Sequence, residues 1–166
     1  KRHLRHENTK NSLLLKQYEN ITNISSIISK TDPKGVITFV NDKFCQISGY
    51  RKDELIGKPH NVIRHPDMPK AAFRELWKTI KDEKMTWQGI VKNRAKNGDT
   101  YYVKTTVQPI LNPAGEVEEY ISLRHDITAI MSDKKQLFDF LEANRLSVLI
   151  LVQIEDYPIL EKFYDK

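Results

Sequence analysis

Lys30–Tyr50 reads KTDPKGVITFVNDKFCQISGY. Asp32-Pro33-Lys34-Gly35 is turn chemistry between two β-prone runs, so a hairpin is expected there. Asn41 or Asp42 then caps a short helix carrying Phe44, Cys45 and Ile47 or Ser48 on its turns, and Gly49 stops it. A hairpin that runs directly into a capped helix sets the register for everything downstream.

Moving outward, RKDELIGK repeats the pattern as a short helix closed by Gly57. The next stretch, Gly57–Trp77, is GKPHNVIRHPDMPKAAFRELW. Its first part, ahead of a helical run, concentrates two histidines, an arginine, an aspartate and three prolines, which suits a catalytic site, a metal or haem site, or the wall of a ligand pocket. Asp67 is placed to cap the helix MPKAAFRELWKTIKDEK, and Pro69 is tolerable because it lies in the first turn. Ala72, Leu76 and Ile80, with Phe73 and Trp77 alongside, form its apolar face. Three strands follow. TWQGIVKNRA turns at Lys96-Asn97-Gly98-Asp99 into TYYVKTTVQPIL, and Asn112-Pro113-Ala114-Gly115 leads into VEEYISLRHDIT. Upstream, residues 7–28 carry Leu14, Tyr18, Ile21, Ser25 and Ile28 at spacings of four and three, the seam of an amphipathic helix or short coiled coil. From about Ser26 the β-branched content favours a strand. The whole order predicts an α+β fold, an antiparallel sheet with helices on one face.

Composition narrows the function classes. With 39% hydrophobic and 30% charged residues, the 166-residue chain reads as globular. No run approaches the ~20 apolar residues of a membrane span, and VLILVQI at 148–154 reads as a buried strand. The start, KRHLRH, is not followed by the apolar stretch of a signal peptide. It suits the cytoplasmic flank of an upstream membrane helix, or equally an exposed helix. With no initiator Met and no closing signal, the chain is expected to be a piece of a longer protein. The single Cys45 excludes an internal disulfide and agrees with a reducing, cytoplasmic compartment. The net charge of +5 is spread among Asp and Glu residues, with no zinc-finger spacing or aromatic RNA-binding motif, so no nucleic-acid partner is expected.

Together, SKTDPKGVITFVNDKFCQISGYRKDELIGKP and WQGIVKNRAKNGDTYYVKTTVQPILNPAGEVEEYISLRHDIT resemble the two halves of a PAS domain. The resemblance covers about residues 26–128. It implies a PAS fold, a five-stranded antiparallel sheet cupping a ligand against short helices, in a sensory and dimerising module. PHNVIRHPDMPKAAFRELW, followed by the W-x-G-I-V-K-N-R-x-K-N-G-D pattern, resembles more narrowly the PAS domains of the aerotaxis-receptor type. In that subfamily the pocket binds FAD and the redox state of the flavin is the signal. The cofactor-binding positions this implies are Asn41, Arg64, His65, Asp67, Trp77 and Asn93. Residues 1–25 become a signalling and dimerisation helix pairing with a second copy. Residues 129–166 become a linker helix and the start of a GGDEF-like nucleotide cyclase domain. There Gln153 stands where that family carries a metal-binding Asp, with Glu155 near the second, so a degenerate output of the cyclic di-GMP type is expected.

His60 and His65, five apart around a proline, lack the three or four spaced ligands of a zinc site. His60, His65 or Met68 could serve as a haem axial ligand, although the Arg-His-Pro-Asp context matches the flavin group better. A cysteine for covalent light-driven chemistry is missing before the long helix, and Cys45 reads as a buried small residue. Ser48 and Ser122 lack a positioned base, so no enzyme activity is expected. For FAD, Trp77 offers a planar wall, Asn93 and Asn41 offer mixed donors and acceptors, Arg64 a phosphate fork, and His65 a further donor. Trp77 also fits the core, Asp67 a helix cap, and Asn41 a cap. A PAS module without cofactor, serving dimerisation and signal coupling alone, is the principal alternative.

Overall fold

The predicted turn at Asp32–Gly35 forms around one carboxylate. Asp32 Oδ1 accepts from the Lys34 and Val36 amides, both at 2.9 Å, and Gly35 takes the positive φ of 81° that closes the loop. A computed structural model describes residues 2–143, so the readings at 148–155, including Gln153 and Glu155, lie outside the described residues. The elements are α1 (Arg2–Ser25), β1 (Ile27–Thr31), β2 (Ile37–Val40), α2 (Asp42–Ser48), α3 (Lys52–Leu55) and a 3-10 turn (His60–Ile63). After them come α4 (Lys70–Trp77), a π turn (Lys78–Asp82), β3 (Trp87–Arg94), β4 (Thr100–Leu111), β5 (Val117–Asp126) and α5 (Thr128–Ala143). The chain divides after Ile127 into two compact units, the second starting at Thr128.

The first unit contains a five-stranded antiparallel sheet in the order β2-β1-β5-β4-β3, with short helices packed on it and α1 preceding it. This is the α+β architecture expected. The three C-terminal strands form a meander through two tight turns. The N-terminal hairpin joins it by pairing β1 with β5, from Ile27↔Arg124 to Thr31↔Tyr120. Strand alternation then decides what faces the helices. On β4, Tyr101, Val103, Thr105 and Val107 are buried. On β5, Tyr120, Ser122 and Arg124 are buried, while the apolar Ile121 and Leu123 take the other face half-buried. The inner face of a central strand is therefore partly polar, the reverse of the usual arrangement. Packed against it are the essentially fully buried Phe44, Ile37, Val40, Leu55, Ile63 and Ile80.

Two local expectations are corrected. Asp67 does not cap the helix that follows: Pro69 occupies the cap position without a side-chain bond. The Asp67 carboxylate is drawn away by Lys92 Nζ at 2.9 Å, a stronger charge-assisted partner than a helix amide. Nor does that helix run regularly to Lys84. It changes to a π turn at Lys78, which carries the buried Ile80. Such turns are rare and concentrate at functional sites. Among the described residues, no helix is long and apolar enough to cross a membrane.

Candidate functional site

Between the sheet and the α4 segment lies a cavity of about 270 Å³. Phe73, Leu76, Trp77, Ile80, Val91, Val107 and Tyr120 supply apolar walls, and Ser29, His60, Asn93, Thr105, Ser122 and Arg124 a polar floor. Trp77 is held at the mouth from two sides. Its ring meets Tyr120 edge to face at 5.7 Å, and it lies across Gly35, where an added Cβ would come within 3.1 Å of the indole. Glycine is needed there for both its φ and its missing side chain.

The floor centres on Arg124. Arg124 is 6% exposed, and its guanidinium donates to Ser29 Oγ at 2.9 Å and to His60 Nε2 at 2.9 Å. Ser29 Oγ lies 3.2 Å from the same His60 nitrogen, so the network is consistent when Ser29 donates and His60 accepts from both. Phe44 lies beneath, its ring centroid 5.6 Å from the guanidinium carbon. Among the described residues, no carboxylate forms an ion pair with Arg124. Burial lowers its pKa to about 10, leaving it a cation at neutral pH. Burial and the Arg124 charge likewise push His60 down to about 3, so His60 is a neutral acceptor.

This predicts a pH effect. The unfolded histidine has its ordinary value of 6.5, so between there and about 3 the unfolded chain binds more protons than the folded one. The contribution is complete above pH 6.5 and is lost as pH falls through that window, by at most about 1.4 kcal/mol per pH unit. Melting curves from pH 7 to 4 should show the decline, and His60→Gln should flatten it.

The six residues expected at a cofactor do not stay together. Arg64, Trp77 and Asn93 line the cavity. Arg64 stacks its guanidinium 3.5 Å from the Phe73 ring centroid, and its backbone forms an isolated bridge with Asn93. Asn93 is 3% exposed, and its side chain bonds Tyr101, whose phenol burial raises to about 12.

The remaining three do not line it. Asn41 directs its whole amide at backbone: Oδ1 accepts from Ile28 and Phe44, and Nδ2 donates to Asn23 and Ser26. It is the helix cap and a clamp on β1. His65 and Asp67 pair with each other away from the cavity, His65 largely covered and Asp67 exposed, with the Asp67 amide donating to His65 Nδ1 at 3.2 Å and its carboxylate held by Lys92. Burial first, then Lys92 and Arg94, depress the His65 pKa. Asp67 thereby fastens the loop to β3 through Lys92.

Sequence reasoning missed Ser29, Thr105 and Arg124, and considered His60 only as a metal or haem ligand. The available signal was alternation: in YISLR, Tyr120, Ser122 and Arg124 share a face opposite the apolar Ile121 and Leu123. Among the described residues there is no cluster of three or more His, Cys, Asp or Glu suited to a metal ion.

The cavity opens beside a groove of about 520 Å³ that shares Arg64, Phe73 and Trp77 with it. Lys70, Arg74, Lys78 and Lys81 extend the groove along α4 and the π turn, against the single acid Asp82.

A family model described as the PAS fold matches residues 37–124. The aerotaxis receptor of Escherichia coli (strain K12) is 44% identical over 128 residues, covering 74% of this chain and 24% of that protein. The nitrogen fixation regulatory protein of Klebsiella pneumoniae is 31% identical over 113 residues, covering 68% of this chain and 23% of that one. The chain thus spans about a quarter of the length of these relatives. The crystal structure of a PAS domain from Colwellia psychrerythraea has a TM-score of 0.63 at 23% identity, covering 70% of this chain and 98% of that one. Cavity, sheet order and sequence agree: the chain belongs to the PAS-fold family.

Proposed function

We propose that this sensory PAS domain binds FAD and reports redox or oxygen status. The observation that carries the reading is Arg124, a buried cation without a carboxylate partner among the described residues, at the end of an apolar slot. A buried unpaired charge is costly, and an electron-rich ligand edge lying against it offsets that cost. A flavin, when bound, supplies reversible electron uptake. Phe73, Trp77 and Tyr120 would flank its ring, while Arg124, with His60 behind it, and Asn93 would meet the polar edge.

The volumes support a dinucleotide. At about 270 Å³ the inner cavity is below the ~300–1,000 Å³ usual for a whole ligand, and so fits a ring system alone. The adjoining groove, with Arg64, Lys70, Arg74, Lys78 and Lys81, matches a pyrophosphate. Haem is less well supported, because His60 Nε2 is already engaged by Arg124 and Ser29.

For output, we propose a homodimer through α1, which exposes Leu14, Tyr18 and Ile21. The proposed location is cytoplasmic, and the signal leaves through Asp126-Ile127-Thr128 toward a GGDEF-like domain, a reading that rests on the C-terminal resemblance alone. No catalytic step is proposed for this chain.

The test is an absorption spectrum of the purified protein, before and after denaturation and filtration. Paired blue and near-ultraviolet bands with a fluorescent released chromophore are expected. A sharp Soret band would move the ligand to haem. A featureless visible spectrum, unchanged after added FAD, would leave a cofactor-free coupling module.

A further inference from the structure

We propose that the Thr105 hydroxyl is a ligand contact that tunes cofactor affinity and spectrum, an inference that rests on the flavin reading. Thr105 is 2% exposed, lines the cavity and sits on β4 directly across from Arg124 on β5 and Gly89 on β3. Its Oγ1 has no hydrogen-bond partner among the described residues. Its neighbours on the floor differ in this. Ser29 is held by Arg124 and His60, and Ser122 Oγ reaches the Thr106 carbonyl at 3.5 Å.

A buried hydroxyl without a bond weakens a fold, and valine has the same shape without that loss. β4 is paired on both sides, so its backbone groups are committed to the ladder. The bond that would make threonine favourable at this position then comes from what occupies the cavity it lines. A hydroxyl can donate or accept. Beside a guanidinium, the part of a ligand drawn to this corner is rich in acceptors, such as the carbonyl and ring-nitrogen edge of a flavin, so Thr105 would donate.

One internal rival exists. Among the described residues, Trp87 Nε1 is the other buried polar side-chain atom without a partner, and the Trp87 ring covers Gly89, where a Cβ would come within 2.5 Å of it. Gly89 is in register with Thr105, so the indole and the hydroxyl belong to neighbouring positions of the sheet.

Wild type, Thr105→Val and Thr105→Ser are each stripped of flavin and titrated with FAD, recording affinity, the visible absorption bands and indole emission. Losing one neutral hydrogen bond predicts affinity about three- to tenfold weaker in the Val variant. Its visible bands should shift, the Ser variant should stay near wild type, and cofactor-free Thr105→Val should melt no lower than wild type. Wild-type FAD affinity and bands in Thr105→Val overturn the proposal, as does a change confined to indole emission, which assigns the hydroxyl to Trp87. Failure of wild type itself to bind FAD is a separate result that overturns the flavin reading beneath it.

Discussion

Arg124→Met is expected to weaken FAD binding roughly 10- to 100-fold while leaving the cofactor-free protein as stable as wild type or more so. The two halves have different origins. Hydrogen bonds to a charged group contribute about 1.5–3 kcal/mol, and the ligand loses this together with the charge that faces it. The free protein, by contrast, sheds a desolvated cation that no carboxylate compensates among the described residues. Methionine fills a similar volume above Phe44, and Ser29 can still donate to His60 Nε2, 3.2 Å away, so neither group is stranded. FAD titration and urea unfolding of the stripped protein measure the two quantities separately. A variant that loses several kcal/mol of stability yet binds FAD normally would make Arg124 a scaffold residue.

Phe44→Ala has the largest expected cost to the fold itself, about 3–5 kcal/mol. Phe44 is 1% exposed. It lies on α2, under the cavity floor, with its ring perpendicular to that of His60 at 5.8 Å and 86° and the Arg124 guanidinium over its face. Truncation opens a void that α2 cannot collapse into, because Asn41 pins its start to β1 at the Ile28 amide. A lower urea midpoint with an unchanged denaturant slope is the expected signature, and Phe44→Leu should recover most of the loss. Recovery of the Leu variant without recovery of FAD affinity would show that the aromatic ring also orients His60.

What was legible in the sequence was local. Turn chemistry at Asp32–Gly35 and Asn112–Gly115, the Asn41 cap and the Gly49 stop each depend on residues within a few positions. They came through because a tight turn or cap has few alternative chemistries.

The site was legible only in part. Arg64, Trp77 and Asn93 do line the cavity, but RHPD could not be divided by inspection: Arg64 lines the cavity, whereas His65 and Asp67 pair with each other away from it. That division is imposed by Lys92, a residue 25 positions from Asp67. Asp67 as a helix cap failed for the same reason, since a charged partner from a distant strand outcompetes a neutral amide nearby.

By itself, then, the sequence determined the elements, their order and the α+β class, because propensities, caps and turns act over a turn or two of chain. Only the tertiary structure decided the pocket. Pairing β1 with β5 brings Ser29 within reach of Arg124, 95 residues away, and sets His60 against both. Whether a buried arginine is a salt-bridge partner, a scaffold or a ligand contact depends on which charges the fold places around it, and no local pattern encodes that.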